Sequence, residues 1–123
     1  MLFRSRALAV TRNLRPALQR ARAGDFVDQV LTERREGQLT VVYHSIMWLY
    51  VPEEERNHIE HSLRRAGAES SERRPLAWLR MEFVDDKRAA LLLDCWPDGS
   101  HTKLGDCHYH GTSVSWRPEA RPG

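Results

Sequence analysis

Thr40-Val41-Val42-Tyr43-His44-Ser45 is the stretch on which the reading of the fold turns. From Leu39 to His44 the run is β-branched and apolar without alternation, which is the signature of a strand covered on both faces. It is therefore expected as a central, parallel strand with helices flanking it. Its last residues are polar. An apolar strand that stops at side chains able to carry protons, where an open α/β sheet forms its ligand crevice, marks His44 and Ser45 as candidate site residues.

Working outward, the best signposted element follows. Pro52 suits the first helical position, Glu53, Glu54 and Glu55 lie at the positive end of the helix dipole, Arg64 and Arg65 at the negative end, and Gly67 is expected to close the helix. Its buried stripe is Ile59, Leu63 and Ala66. On this helix His58 and His61 lie three apart, a spacing that suits a metal but is far commoner in solvated surface histidines. Upstream, Asp25 is expected to cap a helix through Phe26, Val27, Val30 and Leu31, with Gly37 as its stop. A further helical run, Arg6 to Arg12, breaks at Asn13 and Pro16.

Beyond the polar connection around Ser70 the chain turns to strands. Leu76 to Phe83, Ala89 to Trp96 and Thr102 to His110 are joined by the short links Asp85-Asp86-Lys87 and Pro97-Asp98-Gly99-Ser100, which force an antiparallel meander. Thr112 to Trp116 reads as an extension of the last strand. The expected fold class is α/β, with a mixed sheet of about four strands, in a single domain over residues 1–117 followed by a flexible tail over 118–123. If a right-handed crossover links the Tyr43-His44 strand to a parallel Leu76 strand, then His44, Ser45, Glu82, His108 and His110 all reach the carboxyl edge of one sheet. Each also has an ordinary structural reading. His44 can bond to backbone, Ser45 can cap a turn, Glu82 can pair with Arg88 across the hairpin, and His108 and His110 can be edge-strand polar residues.

Composition limits the function classes. The chain has 123 residues, 41% hydrophobic and 29% charged, enough for one modest core, and a net charge of +2 that exerts little pull on nucleic acid or a membrane. No apolar run approaches the ~20 residues of a spanning helix. The two cysteines, Cys95 and Cys107, form no disulfide framework, so a reducing cytoplasm is expected. Arg4, Arg6, Arg12, Arg15, Arg20 and Arg22 all precede Asp25, the first acidic residue. Such a start has four readings: a transit peptide, a nucleic-acid arm, the adaptor-like start Leu2-Phe3-Arg4-Ser5 of a truncated reading frame, or a solvated helix face, the last being the default.

Taken together, Gly24-Asp25-Phe26-Val27, Val41-Val42-Tyr43-His44-Ser45, Val51-Pro52-Glu53-Glu54-Glu55-Arg56, Leu76-Ala77-Trp78-Leu79-Arg80-Met81-Glu82 and His108-Tyr109-His110-Gly111 before Trp116 resemble the C-terminal part of an uncharacterised bacterial family, domain of unknown function 2332. The likeness runs from about Arg6 to Trp116. Members of that family carry more chain upstream, so the resemblance implies an N-terminally truncated fragment. The layout also resembles, more distantly, the second half of a class I S-adenosylmethionine-dependent methyltransferase with its Rossmann-like sheet. That likeness implies a cofactor-binding role for Asp25 beside the adenine and puts His44 near the methyl transfer. S-adenosylmethionine would need the missing N-terminal half, because the seven glycines of this chain form no GxG loop.

Three functions follow. In the first the chain is the substrate-side half of a methyltransferase-like enzyme, with His44 as a general base of ordinary pKa, about 6.5. In the second, His44, Glu82, His108 and His110 hold a zinc or iron ion for hydrolysis. The third is a non-catalytic module whose crevice takes a small-molecule ligand or a partner segment, with Trp48, Leu49 and Tyr50 either lining it or packed in the core. An exposed flank of the Tyr43-His44 strand would also invite a homodimer.

Overall fold

The stripe Ile59, Leu63 and Ala66 builds the core, and the fold is arranged around it. In the computed structural model, which describes residues 2–121, the helices are α1 (Leu2–Leu14), α2 (Ala23–Thr32) and α3 (Glu53–Ala68). The strands are β1 (Thr40–Ser45), β2 (Leu76–Phe83), β3 (Ala89–Trp96), β4 (Ser100–Cys107) and β5 (Val114–Arg121), and a 3-10 turn covers Trp48–Tyr50. The sheet runs β1-β2-β3-β4-β5 in space, with β1 parallel to β2 and every other pair antiparallel. The chain is thus α/β with a mixed sheet of five strands rather than four.

Ile59, Leu63 and Ala66 of α3 pack with Val27 of α2 and with Leu76 and Trp78 of β2, and Val42, Trp48 and Trp96 close around them. Leu63 and Leu76 are wholly buried, each such side chain contributing about 1.5–3 kcal/mol. Pro52 stands at the N-cap of α3, one position before the helix begins. Gly67 does not end the helix, which continues to Ala68 with Glu69 at its C-cap. A Cβ on Gly67 would stand 2.4 Å from the Trp96 ring, so the glycine is there to let β3 approach α3. Asp25 is likewise no cap. Arg22 holds that position and Asp25 sits in the first turn of α2, while the helix stops at Thr32, well before Gly37.

The expected central strand is an edge strand. Along β1 half-buried Thr40, Val42 and His44 alternate with exposed Val41, Tyr43 and Ser45. The cover expected on both sides of β1 is found on one. α2 packs on α3 and α3 on β2 and β3, from the side of Val42 and Trp78, whereas Val41 and Tyr43 turn the other way and are 49% and 58% exposed. Consecutive β-branched residues signal a strand, but they do not say what lies over each face.

At the far end, the expected extension of the last strand is a separate strand. β4 ends at Cys107, the chain turns through His108 to Gly111, where Gly111 takes φ 73°, and β5 pairs back from Val114 to Arg121. Residues 118–121, expected in a tail, lie in that strand. α1 ends at Leu14, and Arg15 turns the chain with φ 44°. Every side chain from Arg4 to Arg22 is exposed, so the arginines make a solvated face. Among the described residues no helix is long and apolar enough to cross a membrane.

Candidate functional site

The parallel register sets His44 beside Arg80 and Val42 beside Trp78. Because side chains alternate along a strand, Val42, His44, Trp78, Arg80 and Glu82 all face the helices. Ser45 faces the opposite side and is exposed, so it does not join His44. After Ser45, Ile46 adopts φ 49° and donates its N–H to the Met81 carbonyl at 2.8 Å. A β-branched residue in the left-handed region stores strain of order 1–3 kcal/mol and persists only where its surroundings hold it. The holder is Glu82. Its carboxylate accepts the backbone N–H of Met47 at 3.4 Å and of Trp48 at 3.2 Å, and it meets Nδ1 of His44 at 2.6 Å. The expected Glu82–Arg88 pair does not form, since Arg88 binds Asp85 instead.

The His44 ring is spoken for on both sides. Trp78 Nε1 lies 3.0 Å from His44 Nε2, and an indole can only donate. Nε2 must therefore accept, and the proton sits on Nδ1, donated to Glu82. The imidazole is 8% exposed and stacks on Trp48 with ring centroids 4.8 Å apart. Burial pushes its pKa below the ordinary histidine value, against the opposing pull of Glu82. The ordinary pKa expected of His44 is thus corrected: the ring is buried and neutral, with both nitrogens engaged.

A second polar group extends the row across the sheet, one that the pattern of the sequence did not single out. The Arg80 guanidinium lies over the Trp78 ring at 3.8 Å and pairs with Asp94 of β3. Asp94, 6% exposed, also meets His101 Nδ1 of β4 at 2.7 Å. The signal was the alternation of Trp78, Arg80 and Glu82 on one face, opposite a lone carboxylate in the otherwise apolar run Ala89 to Trp96.

His108 and His110 reach the expected rim but not the expected site. The neighbouring Tyr109 ring packs against Phe83 at the end of β2, 5.5 Å between centroids. Both histidines lie past the end of β4, in the turn, where the His110 N–H donates to His108 Nδ1 at 3.2 Å. Two strands separate β4 from β1, roughly 14 Å at the usual strand spacing, so His108 and His110 do not converge with His44 and Glu82. Among the described residues no group of three or more His, Cys, Asp or Glu is placed to hold a metal ion. His58 bonds Asp28 at 2.6 Å. Asp25 lines a different cavity, about 310 Å³, with Arg22, Gly24, Glu54, Glu55 and His58. Cys95 and Cys107 are free thiols whose pKa values burial pushes up.

Beside His44 lies an apolar groove of about 390 Å³, between α2 (Phe26, Val27, Val30) and β1, floored by Val42 and closed by Trp48. It opens along an unpaired strand edge. Thr40 donates to the Pro75 carbonyl at 3.2 Å and Ile46 to Met81, so the even residues of β1 bond to β2. The N–H and C=O groups of Val41, Tyr43 and Ser45 then point outward, and among the described residues β1 has no neighbouring strand on that side.

The family described as an uncharacterized protein conserved in bacteria, DUF2332, matches residues 4–116, and the chain belongs to it. No curated protein and no solved structure matches the chain.

Proposed function

We propose that this member of the family is an interaction module that takes an extended apolar segment of a partner along the open edge of β1. Main-chain groups of Val41, Tyr43 and Ser45 supply the ladder, and the groove under α2 takes every second side chain of the incoming strand. One observation carries the reading: an uncharged, proline-free edge strand stands open beside an apolar groove whose imidazole is already fully bonded. Sheets ordinarily blunt such an edge with lysine, proline or a bulge. The methyltransferase reading would ask His44 to accept a proton at a nitrogen already engaged by Trp78. The hydrolase reading would need His108 and His110 beside it.

The groove volume also falls in the range of small-molecule sites, which makes an apolar small ligand the second reading. Titrating the 15N-labelled chain with an excess of the blocked hexapeptide acetyl-Thr-Val-Thr-Val-Thr-Val-amide tests the first. Protection of the Val41, Tyr43 and Ser45 amides, with shifts at Phe26 and Val30, is expected. Free exchange at those three amides, while the amides of β2 to β4 stay protected, overturns it.

A further inference from the structure

We infer that a proton on His44 controls the groove: the apolar segment is held while the imidazole is neutral and released when the ring is protonated, an inference that rests on the interaction reading above. The ring is part of the groove wall, with Val42, Met47 and Trp48. An apolar side chain seated there takes water away from the imidazole, at far smaller cost for the neutral form than for the cation. Binding and protonation therefore oppose one another, and by linkage each weakens the other to the same degree.

The hydrogen bonds add a geometric reason. Nδ1 already carries the hydrogen given to Glu82, so a second proton enters at Nε2. There it meets the indole N–H of Trp78, 3.0 Å away, and two donors face each other. Trp78 is 1% exposed and cannot turn to water. The Arg80 guanidinium lies over the same indole at 3.8 Å, so the new charge also stands near an existing one. The imidazole, which borders the groove, is the part with room to move, and Trp48 is stacked on it. Displacing the ring therefore loosens Trp48 and the turn behind Ile46, and the groove loses the side chain that closes it. Glu82 alone pulls the other way, because it pairs with the imidazolium. Arg80 and Glu82, both on β2, are the charged groups that act on the ring. Toward the groove α2 presents Phe26, Val27 and Val30 and α3 presents Ile59, none of which titrates. Burial and Arg80 outweigh Glu82 and lower the pKa of the ring, so release falls on the acid side of about pH 6.5.

The affinity of the full chain for the blocked hexapeptide, measured from pH 7.5 down to pH 5 beside the imidazole resonances of His44, tests the inference. The peptide has no titrating group of its own. Affinity is expected to fall in step with the titration of His44, by at most about tenfold per pH unit for a single proton, while the Trp48 amide loses protection. Trp78→Phe removes the facing donor, so the midpoint of His44 and the loss of affinity should both move to higher pH. An affinity that stays level while His44 titrates, a midpoint that Trp78→Phe leaves unmoved, or a ring that stays neutral until the chain unfolds overturns the inference. Each of those leaves the interaction reading standing if the peptide binds at pH 7.5. A chain that takes no peptide at pH 7.5, with free exchange at Val41, Tyr43 and Ser45, removes both.

Discussion

Trp78 donates its indole N–H to Nε2 of His44 from the neighbouring strand, 3.0 Å away, and that bond sets the tautomer and charge of the ring. With Glu82 on the other nitrogen, His44 ties β1 to β2 and to the turn that follows.

Replacing His44 with Gln should therefore destabilise the fold. Losing a buried donor and acceptor together leaves Glu82 and Trp78 short of partners, at a cost of about 1–3 kcal/mol. Urea unfolding followed by tryptophan fluorescence gives the comparison. A change within a few tenths of a kcal/mol would mean that the ring contributes nothing to the fold, and would return it to the list of groups free for chemistry.

The pH dependence follows from the direction of the His44 shift. Its pKa is lower in the folded chain than in the unfolded one, so on acidification the unfolded state takes the proton first. The stability held by the neutral ring is complete above about pH 6.5 and is lost as pH falls through the folded value. The difference in unfolding free energy between the unsubstituted chain and His44→Gln should shrink between pH 7.5 and pH 5. A difference that grows over that interval would mean that the imidazolium is the bound form.

Gly67→Ala separates helix propensity from packing. In an exposed helix interior the change gains about 1 kcal/mol. Here the new Cβ would come 2.4 Å from the Trp96 ring carbons, and overpacking of a tight contact costs about 1–3 kcal/mol. The variant should melt lower than the unsubstituted chain by circular dichroism. A higher melting temperature would show that Trp96 yields without cost.

How much of this was legible in the sequence depends on whether a signal was local. Pro52, the three glutamates and the stripe Ile59, Leu63 and Ala66 make α3 readable, and the short links on either side of β3 make the meander readable. The crossover logic also put His44 and Glu82 on one rim, and they touch. The edge position of β1 was not readable, because what covers a strand is decided by elements elsewhere in the chain. Ser45 lies on the face opposite His44, which period 2 alone requires. Pro118 reads as a tail residue, yet the register shift between Lys103 and Gly105 lets β5 run past it. The Arg80–Asp94 pair lies in two strands whose register becomes known only once they pair.

That pair carries the last expectation. Arg80 and Asp94 have side chains only 13% and 8% exposed, so removing one leaves the other as a nearly buried charge. Arg80→Met should cost about 3–5 kcal/mol, the range for breaking a buried ion pair from one side. Removing both charges is different in kind, because neither partner is then left as a buried charge, and the His101 side chain, 45% exposed, can turn to water. Arg80→Met with Asp94→Leu should therefore be less destabilising than the sum of the two single changes by more than 1 kcal/mol, as is usual for groups in one network. A double-mutant cycle in urea reads the coupling directly. Additive losses would mean that Trp78 stacking, rather than Asp94, is what holds Arg80 in place.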